Sequence, residues 1–126
     1  MKKVVVIDDE PFILMMIEDK LRTARIDVVT LRSGVNAVEV IRKEKPGLVI
    51  LDWMMPEISG IEVCRILKQD SETSDIPIFM LTARGQDADE QLGLRSGVAK
   101  YITKPFSPKA LLEMVQEVIG SDEPGA

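Results

Sequence analysis

Asp8 and Asp9 close the apolar run Val4–Ile7, Asp52 closes the apolar run Leu48–Leu51, and Lys104 follows the short run Tyr101–Thr103. Three carboxylates and one ammonium therefore sit at the ends of separate strand-like segments. Carboxylates brought close together repel one another and persist at neutral pH only where protons or a cation offset their charge. The chain has no histidine and a single cysteine, Cys64. The available ligands are thus oxygens, a set that suits Mg²⁺ or Mn²⁺. A lysine beside a carboxylate and a divalent cation can hold a phosphoryl oxygen, and a hydroxyl such as Thr82 at a neighbouring strand end can donate to another. Such an assembly is built for phosphoryl transfer. Taken singly, each acid reads equally well as a solvated turn or cap residue; convergence with a lysine is what favours a site.

The elements that would bring these residues together are apolar runs of strand length alternating five times with helical patterns, the signature of βα units and a parallel sheet. Strands are expected near 3–8, 27–31, 47–52, 77–82 and 99–103, and the first and third are continuously apolar, as strands covered on both faces are. Helices are expected over 11–25, 34–45, 59–70, 87–96 and 107–119. Pro11 suits a first helical position, and Ile13, Leu14, Ile17 and Leu21 form one apolar face. The fourth of these helices has few large apolar residues and carries Gly93, which costs about 1 kcal/mol relative to alanine. In an open parallel sheet the carboxyl ends of the strands share one edge, where ligands bind.

With 126 residues the chain fits one domain, taken as 1–120, followed by a polar tail over 121–126. Its net charge of −5, from 16 basic and 21 acidic residues, argues against a nucleic-acid or anionic-membrane surface. One cysteine excludes a disulfide framework and a thiolate zinc site, and the absence of histidine excludes Ser-His-Asp and Cys-His catalysis. The apolar run after Met1-Lys2-Lys3 is too short for a signal peptide or membrane span, which makes a cytoplasmic location the expectation.

Five segments in order then carry a resemblance: Val6-Ile7-Asp8-Asp9-Glu10, Leu51-Asp52-Trp53-Met54-Met55-Pro56 with Gly60, Met80-Leu81-Thr82-Ala83, Gly97, and Tyr101 to Phe106. At this spacing the chain closely resembles the CheY-like receiver domains of two-component response regulators, over residues 2–119. The resemblance implies a flavodoxin-like (βα)5 doubly wound parallel sheet of strand order 2-1-3-4-5. It implies Asp52 as phosphoacceptor, and Asp9, Asp52 and the Met54 carbonyl as Mg²⁺ ligands, with Asp8 a ligand through water. Lys104 would pair with the acceptor carboxylate and then the phosphoryl group. Thr82 would hydrogen-bond the phosphoryl group and Tyr101 would follow it inward, switching a partner surface on the fourth helix, fifth strand and fifth helix. A cis Lys104–Pro105 bond belongs to the same pattern, although trans is the default for an X–Pro bond. The implied partners are a sensor histidine kinase or phosphotransfer protein, or a small phosphodonor, together with an output protein or domain. The chain would not be an enzyme in the ordinary sense but a switch that catalyses its own phosphorylation and dephosphorylation.

Two departures from the pattern bear on behaviour. Met54 and Arg84 occupy the positions that flank the attacking water in hydrolysis, and neither is a water-orienting amide or carboxylate, so a long-lived aspartyl phosphate is expected. The stretches around Asp52 and Tyr101 look most like receivers attached to winged-helix DNA-binding domains, which pair through acidic residues before the switch aromatic and basic ones on the last helix. Here Ala99-Lys100 replaces the acidic pair, and Met114 and Gln116 stand on the last helix. A monomer in the unphosphorylated state, and a stand-alone receiver or excised input domain, are therefore the expectation. A haloacid-dehalogenase-type phosphatase would need an Asp-x-Asp signature after the first strand, which Asp8-Asp9-Glu10 lacks; a flavin carrier would need a Ser/Thr/Gly-rich loop there. The remaining alternative is a receiver-like interaction module that works without phosphorylation.

Overall fold

The computed structural model of the chain describes residues 2–83 and 97–120. Five strands, β1 (Lys3–Ile7), β2 (Asp27–Leu31), β3 (Leu48–Asp52), β4 (Ile78–Thr82) and β5 (Lys100–Thr103), form one parallel sheet in the order β2-β1-β3-β4-β5. The expected fold class and strand order are thus observed. Every residue of β3 and β4 is buried, whereas the edge strands β2 and β5 are mostly half-buried or exposed. Continuous apolar sequence in the inner strands follows from this two-sided burial.

Among the described residues four helices cover the faces: α1 (Pro11–Arg22), α2 (Ala37–Glu44), α3 (Gly60–Gln69) and α4 (Pro108–Ile119). Strand alternation divides the core in two. Val4, Val6, Ile50, Phe79 and Leu81 face Leu14, Ile17 and Leu21 of α1 and Leu111 and Val115 of α4. Val5, Ile7, Val49, Leu51, Ile78 and Met80 face Ala37 and Ile41 of α2 and Val63, Cys64 and Leu67 of α3. The expected helix over 87–96 lies outside the described residues.

Two helix boundaries differ from expectation. The first helix stops at Arg22 rather than Arg25, because Arg25 takes a left-handed conformation (φ 62°) and the Ile26 N–H returns to the Leu21 carbonyl at 3.2 Å. The second begins at Ala37 rather than Gly34: Asn36 is left-handed at φ 68°, so residues 34–36 cannot extend the helix backwards. Helices α3 and α4 start as their capping residues dictate, with Ser59 Oγ accepting from the Glu62 N–H and Ser107 Oγ from the Ala110 N–H.

Gly60 opens α3 against the end of β3. Its N–H donates to the Trp53 carbonyl at 2.9 Å, and a β-carbon there would run into the Asp52 carbonyl group and lie 3.0 Å from Trp53 Cα. The neighbours are backbone, which cannot turn aside as a flexible side chain would. Gly60→Ala should therefore lower unfolding stability by roughly 1–3 kcal/mol, and urea denaturation of the two proteins measures it; an unchanged midpoint would contradict this packing account.

Candidate functional site

Each candidate residue is placed by the sheet itself. Asp8 follows the last residue of β1, Asp52 and Thr82 end β3 and β4, and Lys104 follows β5. Backbone hydrogen bonds carry the ladder past the strand ends: Asp8 N–H to Leu31 O at 3.0 Å, Trp53 N–H to Leu81 O at 2.8 Å, and Lys104 N–H to Thr82 O at 2.7 Å. The chain leaves β1 for β2 on one side and returns to β3 on the other, so Asp8 and Asp52 flank the point where the winding reverses.

Asp8 is wholly buried and Asp52 and Thr82 nearly so, while Asp9 is half-buried and Glu10 exposed. Lys104 reaches across β4 to place its Nζ 2.9 Å from Asp8 Oδ2, 3.4 Å from Asp52 Oδ1 and 3.6 Å from Glu10 Oε1. The Asp8 carboxylate also accepts the Glu10 N–H at 2.9 Å through Oδ1, which fixes the turn leading into Pro11 and α1. Four carboxylates, those of Asp8, Asp9, Glu10 and Asp52, thus gather around one ammonium.

The electrostatics follow from that imbalance. Burial pushes the Asp52 carboxyl up from 3.8 to about 7; the Asp8 charge and a hydrogen bond with Asp9 add to this, and Lys104 opposes it. Burial works against the Lys104 charge as well, but the hydrogen bond to Asp8 and the charges of Asp52, Asp8 and Glu10 outweigh it and hold the ammonium above its ordinary value.

Ligand-capable oxygens of Asp8, Asp9 and Glu10 lie within 4.8 Å of one another. Asp8 Oδ2 is fully buried with the Lys104 ammonium 2.9 Å away, and that ammonium is shared with Asp52 and Glu10. A buried anionic oxygen whose cation is shared among several carboxylates, in an all-oxygen cluster, fits a hard divalent cation. The expected set of Asp8, Asp9 and Asp52 is brought together, and Glu10 joins it. The sequence signal for Glu10 was its place in the acidic triplet; attention to strand ends alone passed over a residue that the Asp8 turn folds back.

The other candidates are placed less centrally. The Met54 side chain is 70% exposed on the rim. Tyr101 is half-buried on β5, packed against the second core cluster with its ring 5.8 Å from that of Trp53. Arg84 lies outside the described residues. The Lys104–Pro105 bond is cis.

The Asp52 shift gives a pH dependence with a definite sign. The unfolded chain releases this proton near 3.8 and the folded protein near 7, so between these values the folded state binds more protons and stability falls as pH rises. In metal-free buffer, Asp52→Asn should remove that decline and be more stable than wild type at pH 8 by on the order of 2–4 kcal/mol. Denaturant titrations across the window test it, and equal slopes in both proteins would show that Asp52 is not the titrating group.

Comparison with known proteins adds four findings. The sequence profile of the response regulator receiver domain matches residues 4–116. The phosphate regulon transcriptional regulatory protein PhoB of Pseudomonas aeruginosa is 43% identical over 124 residues, covering 98% of this chain and 54% of that protein. The alkaline phosphatase synthesis transcriptional regulatory protein PhoP of Bacillus subtilis is 39% identical over 97% of this chain and 50% of its own length. Among solved structures, the chemotaxis protein CheY4 of Vibrio cholerae superposes with a TM-score of 0.88 at 31% identity, covering 94% of this chain and 98% of that one. The chain spans about half the length of the curated relatives it matches.

Proposed function

This chain belongs to the response regulator receiver domain family, and on that premise we propose that Asp52 accepts the phosphoryl group on which its signalling depends. A carboxylate oxygen of Asp52 attacks the phosphorus of a phosphohistidine or acyl phosphate. The new O–P bond forms as the bond to the donor's nitrogen or oxygen breaks, and the leaving group departs with that electron pair. In a separate hydrolytic step water attacks the same phosphorus, the Asp52 O–P bond breaks with its electron pair returning to the carboxylate, and inorganic phosphate leaves as the water gives up a proton to solvent.

The observation that carries this reading is the Lys104 ammonium set between Asp8 and Asp52 at a buried sheet edge. Phosphoryl transfer asks the protein mainly for positioning and for neutralisation of spread negative charge. Lys104 supplies a positive charge within reach of an oxygen on Asp52, and Thr82, buried on the adjacent strand end, supplies a hydroxyl to a phosphoryl oxygen. Asp8, Asp9 and Asp52 with the Met54 carbonyl would hold Mg²⁺, or Mn²⁺ in its place, and Glu10 extends the same oxygen cluster. When bound, that ion offsets the carboxylate charge and polarises the phosphoryl oxygens. Catalysis is confined to the protein's own phosphorylation and dephosphorylation.

A sensor histidine kinase or phosphotransfer protein is the proposed donor, with a small acyl phosphate as substitute. The response passes from Thr82 to Tyr101 and the surface around β5 and α4, which meets the output partner. We assign DNA recognition elsewhere than to this domain, a reading that its net charge of −5 supports, although the relatives are named as transcriptional regulators. Among the described residues no helix is long and apolar enough to cross a membrane, and we place the protein in the cytoplasm as a monomer when unphosphorylated. The receiver would span residues 1–120, with 121–126 as its tail.

Incubation with acetyl phosphate and Mg²⁺ should add one phosphoryl group by intact mass, with no adduct in Asp52→Asn or when Mg²⁺ is withheld. An unmodified wild-type protein with Mg²⁺ bound would instead favour an interaction module that works without phosphorylation.

Phosphate lifetime depends on what flanks the attacking water. With the exposed Met54 thioether and Arg84 in those positions, neither orients water. A Met54→Asn, Arg84→Glu variant should lose its phosphate on the order of tenfold faster than wild type, as followed by the decay of the mass adduct; slower decay in the variant would reverse the assignment.

A further inference from the structure

The chain contains one tryptophan and one tyrosine, and the fold places their rings together. The ring centroids of Trp53 and Tyr101 are 5.8 Å apart with planes tilted by 30°, a separation within the range over which aromatic rings attract one another. Trp53 directly follows Asp52 at the end of β3, and Tyr101 lies in β5; β4 runs between these strands. Both rings pack on the same core face as Ile78 and Met80, and alternation along β4 sends Thr82 to that face as well. The register pairs Tyr101 with Met80, and the Trp53 N–H donates to the Leu81 carbonyl at 2.8 Å. The two rings therefore meet across β4, on the face to which Thr82 also points. The backbone of Trp53 is itself held on both sides, since its carbonyl accepts the Gly60 N–H at 2.9 Å.

We infer that Trp53 is a positioning residue whose ring holds Tyr101 in its resting place across β4, so that Thr82 can move toward a group on Asp52 only as this aromatic pair parts. The inference rests on the reading of Asp52, Thr82 and Tyr101 given above and adds to it a second connection. Through it, the residue next to the phosphoacceptor sets how readily the β5 surface responds. Loss of the Trp53 ring removes a contact of the resting state alone and shifts the balance toward the switched state. An aromatic pair of this kind corresponds to a roughly two- to tenfold change in that balance.

The single tyrosine makes the test direct. Fluorotyrosine incorporated at Tyr101 gives one ¹⁹F resonance, followed as beryllofluoride is added in the presence of Mg²⁺ to wild type, Trp53→Leu and Trp53→Phe. Trp53→Leu should displace the resonance before any addition and lower the beryllofluoride concentration at half-conversion roughly two- to tenfold. Trp53→Phe, which keeps a ring, should stay near wild type in that midpoint. Thermal melts establish that each variant is folded; should Trp53→Leu not fold, the midpoint for Trp53→His, with its smaller and more polar ring, takes its place against Trp53→Phe. Equal midpoints in the folded variants and wild type would overturn the inference, as would a wild-type resonance indifferent to beryllofluoride while acetyl phosphate still phosphorylates Asp52. Failure of Asp52 to take a phosphoryl group at all would fall instead on the reading beneath it.

Discussion

The structure turns on a charge deficit at a buried edge: several carboxylates share one ammonium. Asp8 and Asp52 are withdrawn from water because the strands that end in them are packed on both faces, and the same apolar runs that stabilise the sheet desolvate the acids at its tip. Burial of a charge is tolerated only when it is paired. Lys104 supplies that pairing, and it does so from the end of β5, two strands away from Asp52, so the stretch of sheet from β1 to β5 is needed to bring the charges together. At Asp52 burial and the neighbouring Asp8 charge outweigh that pairing and hold its carboxyl well above the ordinary carboxylate range. A site with more carboxylates than cations gains most when further positive charge enters it, and on the proposed reading a divalent ion would bring that charge.

The surrounding architecture keeps this arrangement from relaxing. Three backbone hydrogen bonds prolong the ladder beyond the strand ends, and the Asp8 turn sets Glu10 and α1. Gly60 lets α3 start hard against the Asp52 carbonyl, leaving the Asp52 backbone no room to retreat. Large buried side chains line both sheet faces, and each carries partly buried residues at its margin. Trp53, Met55, Ile58 and Tyr101 belong to the partly buried set of the face under α2 and α3, and rearrangement is cheaper where packing is partial.

Much of this was legible in the sequence, for physical reasons that also mark the limits. Strands β1 and β3 stood out because two-sided burial makes a sheet interior continuously apolar, and the abrupt change to Asp8 and Asp52 marked where each run met the edge. Capping serines set the starts of α3 and α4. The starts and stops at Asn36 and Arg25 were hidden because a left-handed residue other than glycine is a tertiary outcome rather than a propensity. Glu10 was hidden since its inclusion depends on the turn made by Asp8. The approach of Trp53 to Tyr101 was hidden more deeply: the two residues are remote in the chain, lie on strands that are not neighbours, and meet only through sheet order. Spacing rules along one element carry no information about such a pair.

That difference in origin matches a difference in energy. A hydrogen bond or ion pair to a charged group is worth about 1.5–3 kcal/mol, and several such interactions change together when the charge at Asp52 changes. An aromatic pair is worth about 0.5–1.5 kcal/mol beyond the area it buries. The aromatic contact therefore cannot override the charge site, but it can set how much of the charge energy is consumed before the β5 surface moves. On the proposed reading, a receiver built this way has its chemistry fixed by the strong, sequence-legible interactions at Asp8, Asp52 and Lys104. Its threshold is left to a weak contact that can vary without disturbing the chemistry, so two chains with the same acids and lysine but different residues after the acceptor would share a reaction and differ in how readily it is read out.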